Sequence, residues 1–565
     1  MSFKSVATLV EILYRKGSRN VIISPGSRSA PITLAFARHK GFRKLIIPDE
    51  RSAGYMALGM AQVSGLPVAL VCTSGTAAVN LYPALIEAFY LQVPLIVFTA
   101  DRPPEWIDQL DGQTIHQENL YGNHVKGFYT FPQEDHLPDL QWHGERIISE
   151  AFNRAVDLPA GPVHVNMPFR EPLYPAHGEG TESVNPLKVI HNMSSVQSPV
   201  ESTWNELARV WAESGNILVV GGQQRKNEEL MAALNGFAGK FDIPVAGDVI
   251  SNLHGLEMNL ITSMDNFLWK QDKNFLESLR PDLLISFGKS VISKNLKLFL
   301  RQYKPVQHWH LQSGGYIPDP FQSVTTQIPV DPAFFFRKAI DKFDVMPDRN
   351  GYLEQWKRQE QMTAEKLKIF FPADAFSELE ASSMVIGYLP DNIFLHLANS
   401  MPVRLVNFVG GLKPGMEVFS NRGTSGIDGC VSTAIGTTIQ SEKINVLITG
   451  DMAFFYDRNA FWHENIPENL HIIMLNNHGG GIFRMIDGPS RLPEFEKYFE
   501  THQPLTAKSL AGEYGFDYTF CSDRETLTKS LRTFFTPGKK LKILEIQTDS
   551  KTNKTIFDQF KSQFC

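Results

Sequence analysis

The chain has 565 residues, of which 43% are hydrophobic and 20% charged, so it has material for several cores and roughly three to four domains of about 150 residues. A net charge of −6 without a long basic run argues against nucleic acid as a partner. None of the four cysteines forms a C-x-x-C pair, and no stretch approaches about 18 consecutive apolar residues. We therefore expect neither a zinc or disulfide framework nor a membrane span, but a cytoplasmic enzyme with small-molecule ligands.

The N-terminal region, residues 1–175, alternates short apolar strands with helical segments, which predicts a doubly wound domain with a parallel sheet. Polar loops follow the predicted strands and have the sequences SPGSR, PDE, TSGT and ADRPP. In sheets of this kind, ligands bind beyond the carboxyl ends of the strands. These loops are therefore the first candidates for a binding site.

Two further α/β domains are predicted, over residues 200–345 and 376–565, with linkers near 175–202 and 345–375. The middle domain contains the strand-like segments NILVVGG and PDLLISFG, but its GGQQ turn lacks the G-x-G-x-x-G spacing of dinucleotide-binding domains. The fold class predicted for the whole chain is α/β, with three doubly wound parallel-sheet domains.

The clearest chemical signal lies in the last domain, where Asp451 and Asn477 each follow a predicted strand. A strand–helix–strand unit places both residues at the same edge of a sheet. Mg²⁺ prefers hard oxygen ligands, and the Asp451 carboxylate, the Asn477 amide oxygen and the Gly479 carbonyl can supply three of them. Either half alone would be an ordinary turn, but the two together at this spacing predict a site for a metal-bound diphosphate.

This arrangement resembles the motif of thiamine-diphosphate enzymes, in which Gly-Asp is followed at a similar distance by Asn-Asn. Many of those enzymes have GDG where this chain has GDM, but the third position is not a ligand. The resemblance implies a pyrimidine-binding domain at 1–175, a central domain at 200–345, and a domain at 376–565 that binds diphosphate and Mg²⁺, with Mn²⁺ as an alternative metal. It also implies a site formed between subunits, and hence a homodimer or a dimer of dimers.

Such enzymes need a glutamate from the pyrimidine-binding domain, and Glu50 is predicted to begin a helix there. Its carboxyl group would hydrogen-bond the aminopyrimidine ring and favour the imino form that removes the C2 proton of the thiazolium. This proton transfer requires a water-poor site. Taken alone, Glu50 is better explained by the preference of acidic residues for helix N-termini, but the metal motif favours the activating role.

Basic residues stand in several loops that contain Gly, Ser or Pro. Arginine binds carboxylates through a two-pronged set of donors. Each residue alone is more often a solvated surface charge, but together they predict substrates with several carboxylates. The group consists of Arg28, Arg102, Lys294, Arg404 and Arg422.

The segments SPGSRSAP, DERSAGYMALG, SGTAAVNLYPA, ADRPPE, GQTI, SNRGTSGIDG and NNHGGGIF closely resemble the 2-succinyl-5-enolpyruvyl-6-hydroxy-3-cyclohexene-1-carboxylate synthases of menaquinone biosynthesis. The resemblance covers both outer domains and is weaker in the middle. It implies that Ile427 supports the bent cofactor. One departure is Asn295, which follows Lys294 where some relatives have arginine. The substrate contacts implied by the resemblance are Ser27, Arg28, Arg102, Gln113, Lys294, Ser400, Arg404, Arg422, Ile482 and Phe483.

The resemblance implies a transferase that decarboxylates 2-oxoglutarate and adds the resulting carbanion to isochorismate by 1,4-addition, with release of CO₂. One alternative is another 2-oxoacid decarboxylase or carboligase of the acetolactate-synthase type. Those enzymes usually lack so many arginines at the site. The other alternative is a cofactor-binding regulator without catalysis, and retention of Glu50, Asp451 and Asn477 argues against it.

Overall fold

The computed structural model describes residues 3–132, 137–175, 187–193, 197–269, 272–345, 351–372, 374–486 and 488–564. Both predicted linkers lie partly outside these residues. Within the described part of the first linker, residues 187–193 and 197–200 form neither helix nor strand. The second contains a long helix at Tyr352–Ile369, as its charged pattern indicates.

The strands form three six-stranded sheets, and the pairings between neighbours are parallel. The first sheet contains β1 Asn20–Ile23, β2 Arg43–Ile46, β3 Val68–Cys72, β4 Leu95–Asp101, β5 Phe128–Thr130 and β6 Pro162–Pro168. The second contains β7 Ile217–Gly221, β8 Val245–Gly247, β9 Leu260–Ile261, β10 Leu283–Phe287, β11 Gln307–Leu311 and β12 Thr326–Ile328. The third contains β13 Phe394–Leu397, β14 Glu417–Phe419, β15 Asn445–Gly450, β16 Leu470–Asn476, β17 Asp517–Cys521 and β18 Lys542–Gln547.

Helices connect the strands and cover both faces of each sheet, as parallel sheets require. In chain order they are α1 Phe3–Arg15, α2 Ala30–Arg38, α3 Glu50–Ser64, α4 Thr76–Asn80, α5 Tyr82–Leu91, α6 Pro138–Val156, α7 Glu201–Glu213, α8 Glu228–Phe241, α9 Met264–Phe267, α10 Lys273–Ser278, α11 Lys294–Gln302, α12 Pro332–Lys342, α13 Tyr352–Ile369, α14 Glu378–Tyr388, α15 Met401–Val409, α16 Cys430–Ile439, α17 Asp451–Tyr456, α18 Ile482–Met485, α19 Lys508–Tyr514, α20 Arg524–Phe534 and α21 Ser550–Ser562. Shorter helical turns are Pro104–Trp106, Gly122–His124, Val249–Ser251, Arg458–Phe461, Pro489–Arg491 and Glu496–Glu500.

The strand order shows where ligands are expected. The first sheet has the order β2-β1-β3-β4-β6-β5 and the third β14-β13-β15-β16-β18-β17, so the two share one topology. The second has the order β12-β11-β10-β7-β8-β9. In the outer sheets the order reverses between β1 and β3 and between β13 and β15, which places a crevice beyond the carboxyl ends of those strands. The predicted α/β class with three doubly wound sheets is confirmed.

The chain forms two compact units: the first comprises residues 1–194, 421–442 and 453–470, and the second comprises 195–420, 443–452 and 471–565. The first sheet lies in the first unit, and the other two lie in the second. Residues 421–442 and 453–470 fall inside the predicted third domain, yet they pack with the first unit. The three domain boundaries stay a prediction.

Within the first unit, α3 and α16 pack at unusually close range. A Cβ atom at Gly59 would lie 2.1 Å from the Thr433 carbonyl oxygen, and one at Gly436 would lie 2.1 Å from the Met56 carbonyl oxygen. Glycine at both positions therefore lets the two backbones touch. Among the described residues, no helix combines the length and the apolar character needed to cross a membrane.

Candidate active site

Glu50 is the first residue of α3, because the Asp49 side chain caps the helix by accepting a hydrogen bond from the Ser52 amide at 3.0 Å. The glutamate is half-buried, and its carboxylate lies 3.5 Å from Nδ2 of Asn80. It follows β2 at the carboxyl end of that strand, as the sequence predicted. A carboxyl group here is shielded from much of the solvent without being sealed off.

Asp451 begins α17 directly after β15 and is only 2% exposed. Its carboxylate accepts a hydrogen bond from Nε2 of Gln503 at 2.6 Å. Burial raises the pKa of Asp451 to about 6. Asn477 follows β16, the neighbour of β15 in the sheet. The structure therefore brings Asp451, Asn477 and Gly479 together at one edge of the third sheet.

The two asparagines of the Asn-Asn pair have different environments. Nδ2 of Asn477 donates to Oε1 of Glu378 at 2.8 Å, and Oδ1 accepts from the Gly479 amide at 3.2 Å. Because Nδ2 faces Glu378, the amide oxygen is the atom that can bind a metal, through its second lone pair. Asn476 is fully buried, and its Nδ2 donates to Glu545 at 2.7 Å. Asn477 is therefore the candidate ligand, and Asn476 stabilises the sheet.

Glu378, on α14, is a residue that sequence reasoning missed. It is 3% exposed, and burial together with the charge of Asp451 raises its pKa to about 7. In the sequence it looks like one of several acidic residues in the first turn of a helix, so no local pattern distinguishes it. Two carboxyl groups in a water-poor place favour a cation beside them.

The residues at this edge fit a hard divalent cation that carries a diphosphate. The available donors are oxygens, which such cations prefer. A Cβ atom at Gly479 would lie 2.8 Å from the Glu500 carbonyl oxygen, so glycine is the residue that fits beside Asn477. An open cavity of about 810 Å³ adjoins Asn477 and is also lined by His478 and Arg484.

Arg28 follows β1 in the first unit and is buried, with 5% exposure. Its Nη1 donates to the Phe169 carbonyl at 3.1 Å, and Nη2 lies 3.7 Å from the Glu171 carboxylate. Ser27, beside it, is exposed. The guanidinium is thus fixed by the protein and is backed by one exposed carboxylate.

Arg102 follows β4 and is tied to the next loop. Its Nε lies 3.1 Å from the Asp111 carboxylate, and Nη2 donates to the Gly112 carbonyl at 3.0 Å. Gln113 is the next residue, is exposed, and has a φ of +59°. The structure therefore places the predicted contacts Arg102 and Gln113 side by side.

Lys294 begins α11 and is exposed. Its neighbours Ser293 and Asn295 are held by Asp265, another residue that the sequence did not indicate. Oδ1 of Asp265 accepts from the Ser293 hydroxyl at 2.8 Å and from the Asn295 amide at 2.9 Å. Arg404 lies close enough to lower the pKa of Asp265, although burial, the larger effect, raises it. Arg404 therefore lies near this buried carboxylate, which also binds the residues on either side of Lys294. Asn295 is buried, and its side chain donates to the Asp265 carbonyl, so this side chain has a structural role.

Ser400 precedes α15 and has a φ of +77°, a backbone conformation that non-glycine residues rarely adopt. Strain of this kind concentrates at functional sites. Ile482 and Phe483 begin α18, shortly after Gly479, and Phe483 is 37% exposed. Arg422 and Ile427 are half-buried in a loop of the first unit.

The predicted site residues thus fall into two groups. The first unit contains Ser27, Arg28, Glu50, Arg102, Gln113, Arg422 and Ile427. The second unit contains Lys294, Ser400, Arg404, Asp451, Asn477, Gly479, Ile482 and Phe483.

The chain is similar to known proteins over nearly its whole length. The family described as "Thiamine pyrophosphate enzyme, N-terminal TPP binding domain" matches residues 4–121. Three curated relatives are named 2-succinyl-5-enolpyruvyl-6-hydroxy-3-cyclohexene-1-carboxylate synthase. That of Cytophaga hutchinsonii is 44% identical over 99% of this chain and 98% of its own, and that of Flavobacterium johnsoniae is 39% identical over 98% and 97%. The protein of Porphyromonas gingivalis is 37% identical over 99% of this chain and 96% of its own. The chain therefore belongs to the 2-succinyl-5-enolpyruvyl-6-hydroxy-3-cyclohexene-1-carboxylate synthase family of thiamine-diphosphate-dependent enzymes.

Proposed function

We propose that this protein is the transferase of menaquinone biosynthesis that forms 2-succinyl-5-enolpyruvyl-6-hydroxy-3-cyclohexene-1-carboxylate from 2-oxoglutarate and isochorismate, with release of CO₂. The observation that carries the proposal is the set of basic residues at strand and helix ends. Arg28 and Arg102 are held by protein contacts in the first unit. In the second unit, Arg404 lies near Asp265, which also binds the residues on either side of Lys294. The substrates together bring four carboxylates, which such a cation set suits.

Bound thiamine diphosphate supplies a nucleophilic carbon that accepts the charge left when a 2-oxo acid loses CO₂. We assign Mg²⁺, or Mn²⁺ in its place, to Asp451, Asn477 and the Gly479 carbonyl. Glu50 is assigned to hold a proton at the aminopyrimidine ring, and Ile427 to support the cofactor. Support comes from the buried oxygen donors around Asp451 and from the shielded position of Glu50.

We assign the distal carboxylate of 2-oxoglutarate to Arg404 and Arg422. Isochorismate has two carboxylates, and these are assigned to Arg28, Arg102 and Lys294. The remaining proposed contacts are polar or apolar and orient the substrates. They are Ser27, Gln113, Ser400, Ile482 and Phe483. A homodimer or a dimer of dimers completes the proposal.

Steady-state kinetics with each substrate varied separately tests the assignment. Losing one charge-assisted contact costs about 1.5 to 3 kcal/mol, or roughly ten- to a hundredfold. Arg404→Ala should raise the Michaelis constant for 2-oxoglutarate more than that for isochorismate, and Arg102→Ala should do the reverse. If both variants raise the Michaelis constant for the same substrate equally, the assignment of Arg404 and Arg102 to different substrates is wrong. If pyruvate replaces 2-oxoglutarate with equal efficiency, the substrate assignment fails and an acetolactate-type activity replaces it.

A further inference from the structure

The loop that carries Arg422 and Ile427, residues 421–429, consists of turns and bends without helix or strand. We refer to it as the Arg422 loop. It belongs to the first unit, and both of these residues are half-buried. Because the loop has no ladder of backbone hydrogen bonds, other groups must fix its backbone if Arg422 is to keep one position.

Glu87, in the middle of α5, provides three such contacts. Its carboxylate is fully buried, and it accepts hydrogen bonds from the amides of Gly423 and Thr424, each at 2.7 Å, and from the Thr424 hydroxyl at 2.6 Å. Burial raises the pKa of Glu87, and the bonds from Thr424 and Gly423 oppose that shift. Hydrogen bonds to a carboxylate are stronger than neutral ones, so these contacts define the backbone immediately after Arg422.

Close packing restricts the loop at both ends. A Cβ atom at Gly423 would lie 2.8 Å from the Glu87 carbonyl oxygen and 3.0 Å from its Oε1. At the other end, the Tyr55 hydroxyl donates to Asp428 at 2.9 Å, and a Cβ atom at Gly429 would lie 2.1 Å from the Tyr55 ring. Tyr55 is on α3, the helix that Glu50 begins. The loop is therefore fixed to α5 near Arg422 and to α3 near Ile427.

We propose that Glu87 is a positioning residue that acts through Arg422: its buried carboxylate fixes the backbone beside Arg422 and so places the guanidinium for a substrate carboxylate. The inference rests on the substrate-binding role proposed for Arg422. It goes beyond that role, because Glu87 contacts the loop and not the substrate. If Glu87 merely stabilised the first unit, its substitution would lower stability, and the effect on activity would not depend on Arg422.

Amide hydrogen exchange of the loop is the direct test. In Glu87→Gln the side chain keeps its size, but one acceptor oxygen becomes an NH₂ group that faces N–H donors. We expect exchange of the Gly423 and Thr424 amides to accelerate roughly ten- to a hundredfold. The matched control is Asp457→Asn, because Asp457 is also buried in the first unit and accepts an amide and a hydroxyl hydrogen bond, both from Ser432. The control should leave exchange in the loop unchanged.

A double-mutant cycle tests whether Glu87 acts through Arg422. Glu87→Gln alone should raise the Michaelis constant for 2-oxoglutarate about tenfold or more, with a smaller effect on kcat. In an Arg422→Ala background the same substitution should add little, because residues that act as one unit are not additive. If Glu87→Gln does not fold, Thr424→Val removes one of the three bonds and should shift both measurements in the same direction, by less.

The proposal is overturned if amide exchange in the loop is unchanged in Glu87→Gln, or if the Asp457→Asn control accelerates it equally. It is also overturned if the effects of Glu87→Gln and Arg422→Ala on the Michaelis constant multiply in the double variant. A protein that does not use 2-oxoglutarate would overturn the proposed function instead. The exchange measurement would still decide whether Glu87 fixes the loop, so the two failures can be told apart.

Discussion

Glu50 combines two environments that a proton-transfer carboxyl group needs. It lies at the beginning of α3, beyond the carboxyl end of β2, and it is half-buried, so water has restricted access to its carboxyl group. Asn80 is the neighbouring polar side chain on its flank. Glutamine at this position would keep the size and the polar contact but could not share a proton with the cofactor ring.

Glu50→Gln is therefore expected to retain affinity for thiamine diphosphate while losing most activity. Exchange of the cofactor C2 proton should slow by about two orders of magnitude or more, which is the usual contribution of a positioned acid–base group. Deuterium exchange followed by NMR after acid quench measures that rate directly. Wild-type exchange rates in the variant would refute the role of Glu50.

Asp451 should be the residue whose loss harms metal-dependent cofactor binding most. Asp451→Ala removes the charged oxygen ligand at a buried site. The cation that binds the diphosphate would then have too few ligands from the protein. Affinity for thiamine diphosphate in the presence of Mg²⁺ should fall about a hundredfold or more, as measured by calorimetry. Asp457→Asn, which alters a buried aspartate that binds Ser432, is the control and should retain affinity. Unchanged affinity in Asp451→Ala would contradict the metal assignment.

At the scale of elements, the contact between α3 and α16 links the helix of Glu50 to the helix that follows the Arg422 loop. The backbones touch at Gly59 and Gly436, where a Cβ atom would come within 2.1 Å of a carbonyl oxygen. No rotation of a side chain relieves such a clash, because the obstacle is backbone. The helices would have to separate, and the site residues at their ends would move with them.

Gly436→Ala should therefore lower the free energy of unfolding by about 1 to 3 kcal/mol, the usual cost of overpacking. Gly512→Ala is the matched control, since Gly512 is also inside a helix but has no atom within 4 Å of its would-be Cβ. That change should be neutral or stabilise by up to about 1 kcal/mol, because alanine favours helix. Denaturant unfolding of both variants compares them. Equal stability would show that the two helices adjust without cost.

At the scale of the whole molecule, each sheet contains a buried histidine with a lowered pKa. Burial lowers the pKa to about 3 for His164 on β6, and to about 4 for His308 on β11 and His396 on β13. Their rings are hydrogen-bonded to Thr99, Ser286 and Asn445. In the unfolded chain the same side chains titrate near pH 6.5, so below that pH the unfolded state binds protons that the folded state does not.

Each of these histidines is therefore expected to remove stability as the pH drops from about 6.5 toward 4, by up to about 1.4 kcal/mol per pH unit, while the raised pKa of Asp451 and of Glu378 contributes a change of the opposite sign. Differential scanning calorimetry between pH 7.5 and 4.5 measures the slope. His396→Asn should remove the contribution of one histidine, so the slope of stability against pH should change by up to about 1.4 kcal/mol per pH unit. His191→Asn, at an exposed position, should leave it unchanged. A slope in His396→Asn equal to that of the unsubstituted protein would contradict the prediction.

The sequence by itself determined the fold class and predicted a place for the cofactor chemistry. Apolar runs bounded by Gly, Pro and polar loops are local signals, so the strands ending before Arg28, Glu50, Arg102, Asp451 and Asn477 could be found without coordinates. Parallel connectivity then requires the residues after neighbouring strands to share an edge, which is why Asp451 and Asn477 were paired correctly.

Only the tertiary structure revealed the residues that support the site. Glu378, Asp265 and Glu87 are buried carboxyl groups whose partners lie 99, 28 and 336 residues away in the chain. In the sequence each is an ordinary acidic residue of a helix, because burial and long-range partners leave no periodic pattern. Residues 421–442 were predicted with the third domain but pack with the first unit. The close contact between α3 and α16 depends on two glycines that are far apart in the sequence, Gly59 and Gly436, so no local pattern predicts it.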